Sequence, residues 1–172
     1  MKTTKLEAYH RSLIFDIVEG RGWNLTYYKD VEIEAAILPL VELLNNEWTL
    51  TAYSCGGHWQ PAAKFQYPYV AFHVLHQPRV WKGIMRKTWE ALMPHISEMA
   101  TVDIMETHEL PDTQVAWCHW RFCPRHGSIA SAPKVFRNER HFLETLGSLI
   151  KATCEALETV LREKYVERFS DP

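Results

Sequence analysis

The sequence predicts an α/β (or α+β) protein, with a single mixed sheet covered by helices and a long C-terminal helix. Three observations carry that expectation. Stretches with apolar residues three and four apart are interspersed with stretches of alternating β-branched and aromatic residues. The closing stretch, Arg137 to Phe169, keeps one apolar stripe from end to end. No repeat, low-complexity tract or Pro/Gly/Ser linker divides the 172 residues, so residues 1–172 read as a single domain.

In chain order, Tyr9 to Glu19 suggests a helix and Trp23 to Tyr28 a strand. Val31 to Asn46 places Ile33, Ile37, Leu40, Val41 and Leu44 at helical spacing, with Asp30 as an N-cap. Pro39 inside that run means the helix either begins near it or kinks there. Trp48 to Tyr53 is rich in β-branched and aromatic residues and reads as a strand that runs into Cys-Gly-Gly-His. Tyr67 to Leu75 is a second strand, with Val70, Phe72 and Val74 on one face. A helix follows Pro78 with Trp81, Ile84, Met85, Trp89 and Leu92 on one stripe, limited by Pro94. Ala100 to Met105 and Thr113 to Phe122 read as further strands. The final helix buries Phe142, Leu146, Ile150, Leu157, Val160 and Leu161.

Composition bounds the function classes. Hydrophobic residues make up 47% and charged residues 23%, as in ordinary globular proteins. No apolar run reaches the roughly 20 residues of a bilayer span, so no membrane partner is expected. The opening Met1-Lys2-Thr3-Thr4-Lys5-Leu6-Glu7 leads into no apolar signal region, so a cytoplasmic location and reduced cysteines are expected. The net charge of −2 does not advertise a nucleic-acid binder. Thr113 to His141 is nevertheless locally basic, with Arg121, Arg125, Lys134, Arg137 and Arg140 against the single acid Glu139. That stretch is a solvated surface or a site for phosphate or carboxylate.

The segment that carries chemistry is Tyr53-Ser54-Cys55-Gly56-Gly57-His58. A strand ending there puts side chains at the end of a sheet, where α/β folds place ligands. Two glycines permit positive φ and close approach, and their amides can cradle an anion. Cys55 and His58 are close enough in a turn for three roles: a thiol nucleophile with a histidine partner, two ligands of a metal, or a loop whose shape matters more than its thiol. The plain alternative is a tight turn with a half-buried cysteine and a surface histidine.

A second group, Cys118, His119, Cys123 and His126, looks like a metal cluster until strand alternation is applied. Cys118 then lies with Trp120 and Phe122 in the core, while His119 lies with Arg121. A zinc site of Cys55, His58, His119 and Cys123 would need the two strands to be neighbours. Structural zinc ranks behind the other readings because no Cys-x-x-Cys pair is present. Cys154 falls on the apolar stripe of the last helix, and His73 shares a strand face with Tyr67, Tyr69 and Ala71.

Val31 to Asn46, ending Leu-Leu-Asn-Asn, followed by Thr49-Leu-Thr-Ala-Tyr-Ser-Cys-Gly-Gly-His58, resembles the opening of the wybutosine-synthesis tRNA methyltransferase family. In that family a helix ending Leu-Leu-Asn precedes a strand ending Thr-Ser-Ser-Cys-Ser-Gly-Arg. An aromatic-Arg-Phe-Glu-Pro stretch of the family has an echo in Trp120-Arg121-Phe122-Cys123-Pro124. The resemblance implies an α/β fold, S-adenosylmethionine as methyl donor and a tRNA base as substrate, with Ser54, Cys55 and Gly57 matching the Ser-Cys-x-Gly core. His58 stands where the family has Arg, Gly56 where it has Ser, and Cys123 where it has Glu. The segment also resembles uncharacterised bacterial proteins with a Ser-Cys-x-Gly-His turn before a Pro-Tyr-Val strand, as in Pro68 to Val70.

The leading functional expectation is a pocket at this turn for a small anionic ligand. Cys55 and His58 would do its chemistry, and Ser54, Gly56, Gly57, His73, His119 and Arg121 would line it. The alternatives are an S-adenosylmethionine-dependent RNA-modifying protein and a non-catalytic interaction protein stabilised by zinc.

Overall fold

The computed structural model describes residues 33–46, 48–59, 66–74, 78–107, 116–125 and 135–170. The helix at Tyr9 to Glu19, the strand at Trp23 to Tyr28, the Asp30 cap, Lys134 and His126 lie outside them. The described chain runs α1 (Leu38–Leu43), β1 (Thr49–Cys55), β2 (Tyr69–Val74), α2 (Pro78–Leu92), a 3-10 turn (Met93–His95), β3 (Thr101–Thr107), β4 (Ala116–Cys123) and α3 (Glu139–Ser170). The four strands form one sheet in the order β1-β2-β4-β3. Every described pair is antiparallel, so the α+β form of the expected class is the one found, and the described sheet is not mixed. Among the described residues no helix is long and apolar enough to cross a membrane.

Alternation sorts the two faces of the sheet. Val70 and Phe72 on β2 sit beside Trp120 and Cys118 on β4, all buried. Phe72 packs edge-on against Trp81 of α2 and Trp120 of β4, at 5.6 and 5.1 Å between ring centres. Helix α3 buries Phe142, Leu146, Leu157 and Leu161 in the same core. Cys154 is half-buried against it. Asn138 starts α3 by accepting the His141 N–H on its side chain and the Phe142 N–H on its carbonyl.

The expected helix at Val31 to Asn46 is much shorter. Residues 35–37 form a turn, and Pro39 lies in the first helical turn, where its missing N–H costs nothing. Two asparagines then staple the helix end to β1. The Asn46 carboxamide oxygen accepts the N–H groups of Trp48 and Thr49, and the Asn45 oxygen accepts that of Thr51. The Thr49 hydroxyl donates to the Leu44 carbonyl.

One irregularity decides what reaches the second face. Thr51 pairs with Phe72 but Tyr53 pairs with Ala71, so Ala52 is an extra residue, a β-bulge. Without it, Tyr53 and Cys55 would share the core side with Thr49 and Thr51. The bulge turns them onto the opposite face, where Tyr53 is 59% exposed.

Candidate functional site

The register lays Cys55, Tyr69, Arg121 and Asp103 in one row across all four strands, on the face turned away from the core. The row starts at the Cys-Gly-Gly-His turn. Gly57 has φ +92, and a Cβ there would fall 2.7 Å from the Pro68 Cγ, so glycine is required on both counts. Past the turn, His58 and Gln66 exchange backbone hydrogen bonds at 2.8 and 3.0 Å. Trp59 packs on Phe142 of α3 at 5.6 Å, so the turn is clamped to the core immediately after His58.

The sequence reading missed Glu34. The carbonyl of Glu34 accepts the N–H groups of Ile37 and Leu38 as the chain turns into α1, which fixes its backbone. Its side chain reaches back to the turn. Oε2 accepts the Gly56 N–H, and Oε1 lies 3.4 Å from His58 Nε2. The Gly57 N–H donates to Cys55 Sγ at 3.4 Å. One donor atom each from Glu34, Cys55 and His58 lies within 4.8 Å of the others, close enough for a single cation. Glu34 occupies the Gly56 amide that sequence reasoning had reserved for an anion. A carboxylate 22 residues away leaves no local pattern, and nothing in the sequence flagged it.

Burial pushes the Cys55 thiol up; the Gly57 N–H pulls the other way, and the Glu34 carboxylate adds to the rise. Cys55 is therefore not activated as a thiolate by the chain alone. Tyr69, directly opposite Cys55, is half-buried, and its ring lies 5.1 Å from that of His119. Arg121 donates to the Asp103 carboxylate, with the two side chains 34% and 42% exposed.

The remaining expected residues scatter. Ser54 pairs with Val70 and so belongs to the core side, away from Cys55. His119 lies one row along, level with Tyr53 and Met105 on the same face. His73 is buried two rows from the turn, opposite Leu50, and burial lowers its pKa. Strand β2 separates β1 from β4, so Cys55 and His58 do not meet His119 and Cys123. Cys118 is core, as alternation required. The basic stretch does not converge either: Arg121 of β4 pairs with Asp103, Arg125 in the segment after β4 with Glu98, and Arg140 of α3 with Glu144. All four cysteines are unbridged.

In comparisons with protein-family models, curated proteins and solved structures, the chain matches none.

Proposed function

We propose that the protein binds a small ligand, and acts on it, at the row of residues on the second sheet face that begins at the Cys-Gly-Gly-His turn. The observation that supports this reading is the row Cys55, Tyr69, Arg121 and Asp103, which starts where Glu34, Cys55 and His58 converge. Strands lie about 4.8 Å apart, so a small molecule can touch the turn and Arg121 together. Because Glu34 holds the Gly56 amide, an anionic group on the ligand goes to Arg121, whose guanidinium Asp103 holds in place. Tyr69 lies between the two ends and offers a ring and a hydroxyl.

An RNA-modifying reading with S-adenosylmethionine needs cations gathered beside the turn, and Arg125, after the end of β4, and Arg140, within α3, lie outside the row that starts there, which weighs against it. The four unbridged thiols accord with a reducing, cytoplasmic setting.

The test is a titration of metal-free protein with small carboxylates and with inorganic phosphate, followed by amide chemical shifts. The expected shifts cluster at Gly57, Tyr69 and Arg121, and Arg121→Gln weakens binding about tenfold or more, the cost of a hydrogen bond to a charged group. Shifts that avoid this row, or that survive Arg121→Gln unchanged, contradict the reading.

A further inference from the structure

We infer that Glu34, Cys55 and His58 hold a zinc ion, with a fourth coordination position open to the ligand. The inference draws on the proposed ligand site only for the use of that fourth position; the metal centre itself stands on geometry.

The donors are a carboxylate oxygen, a thiol sulfur and an imidazole nitrogen, one from each residue, mutually within 4.8 Å. Two ligands each about 2.0–2.1 Å from a tetrahedral zinc lie about 3.4 Å apart. Glu34 Oε1 and His58 Nε2 are 3.4 Å apart. The outer contacts are those a metal site requires as well. The Gly56 N–H takes the other carboxylate oxygen, leaving Oε1 for the metal, and the Gly57 N–H points at the sulfur that would carry the thiolate charge. This also explains two adjacent glycines. At Gly56 a Cβ would come 3.1 Å from the Glu34 Cβ, crowding the carboxylate away from the turn. Gly57 takes the left-handed conformation that turns the chain from Cys55 into His58.

The three ligands come from segments that are separately fixed. Glu34 is held by the turn into α1, Cys55 by pairing with Tyr69, and His58 by its bridge to Gln66. The centre is therefore assembled before a metal arrives. One thiolate with one imidazole and one carboxylate suits zinc over magnesium or calcium, which take oxygen donors. Among the described residues no fourth His, Cys, Asp or Glu joins the group. The Glu34 and His58 side chains are 42% and 48% exposed, so solvent or a ligand oxygen reaches the metal from their side, the arrangement of a catalytic-type centre. Bound there, zinc would lower the pKa of a coordinated water or polarise a ligand oxygen.

The experiment is cobalt substitution of the full chain. Protein stripped with chelator and titrated with Co²⁺ is expected to show a thiolate-to-cobalt charge-transfer band and intense tetrahedral d–d bands that saturate at one equivalent. Zinc should displace the cobalt. Cys55→Ser removes the charge-transfer band. Glu34→Gln, which keeps a side-chain oxygen to accept the Gly56 N–H, lowers affinity at least about tenfold while circular dichroism stays native. No thiolate band in wild-type protein, or a band that persists in Cys55→Ser, overturns the inference. The outcomes separate the two proposals: anion binding at Arg121 without metal leaves the ligand site standing and the zinc fallen, and cobalt binding without anion binding does the reverse.

Discussion

Glu34 and Gly56, 22 residues apart in the chain, are joined by a hydrogen bond from the Gly56 amide to the Glu34 carboxylate. That bond brings the start of α1 to the end of β1 and makes a three-donor centre of what is otherwise a Cys-x-x-His turn. The glycine allows it, because a side chain at residue 56 would meet the Glu34 Cβ at 3.1 Å.

The neighbouring glycine gives the sharper mutational contrast. Gly57→Ala meets both a φ of +92 and a 2.7 Å clash with the Pro68 ring, so it should destabilise the protein by about 1–3 kcal/mol. Gly83→Ala, inside α2 with nothing within 4 Å of the new methyl, should stabilise by up to about 1 kcal/mol. Urea unfolding of the two variants side by side reads the difference in sign.

Asn46→Ala tests the staple that aims β1. It removes the acceptor for the Trp48 and Thr49 N–H groups and the donor to the Leu43 carbonyl in a buried corner. Unmet buried groups cost about 1–3 kcal/mol, so the urea midpoint should fall clearly. A change within a few tenths of a kcal/mol would mean the corner is held by its apolar neighbours alone.

Much of the fold was legible because it is local. Alternation located β2 and β4 and placed Cys118, Trp120 and Phe122 in the core, and apolar stripes located α2 and α3. Pro39 was recognised as a beginning or a kink, and it proves to mark the beginning of α1. The site was half legible. Cys55, the two glycines and His58 could be read from one segment, but their partners come from register and from the bulge at Ala52. Periodicity puts Cys55 in phase with Thr51, on the core side, and one extra residue reverses that. Tyr69, Asp103 and Glu34 join the site only through pairing between distant segments. Ser54 and His73 were expected beside the turn, and alternation and distance along β2 keep them away.

Stability should decline on mild acidification. Burial holds the His73 pKa below its ordinary value, and burial followed by the Arg121 charge does the same at His119. The unfolded chain then binds more protons than the folded one, so stability is present above the ordinary histidine pKa of about 6.5 and falls as pH drops through it. Urea midpoints measured at pH 7 and pH 5 should differ in that direction, and His73→Gln should flatten the slope.

Thiol reactivity separates the metal-ligand role of Cys55 from a nucleophilic one. Burial pushes Cys55 and Cys123 up, and Cys154 up to about 11. In metal-free native protein, iodoacetamide at neutral pH should label each of the three more slowly than a free thiol, as read by mass spectrometry. Fast, selective labelling of Cys55 would favour a nucleophile.

X-ray absorption at the zinc edge of the reconstituted protein addresses the assembled centre most directly. The structure predicts one sulfur at about 2.3 Å and the remaining first-shell scatterers as nitrogen or oxygen at about 2.0–2.1 Å, with the sulfur contribution lost in Cys55→Ser. A shell with no sulfur, or with two or more, would contradict a centre built from Glu34, Cys55 and His58.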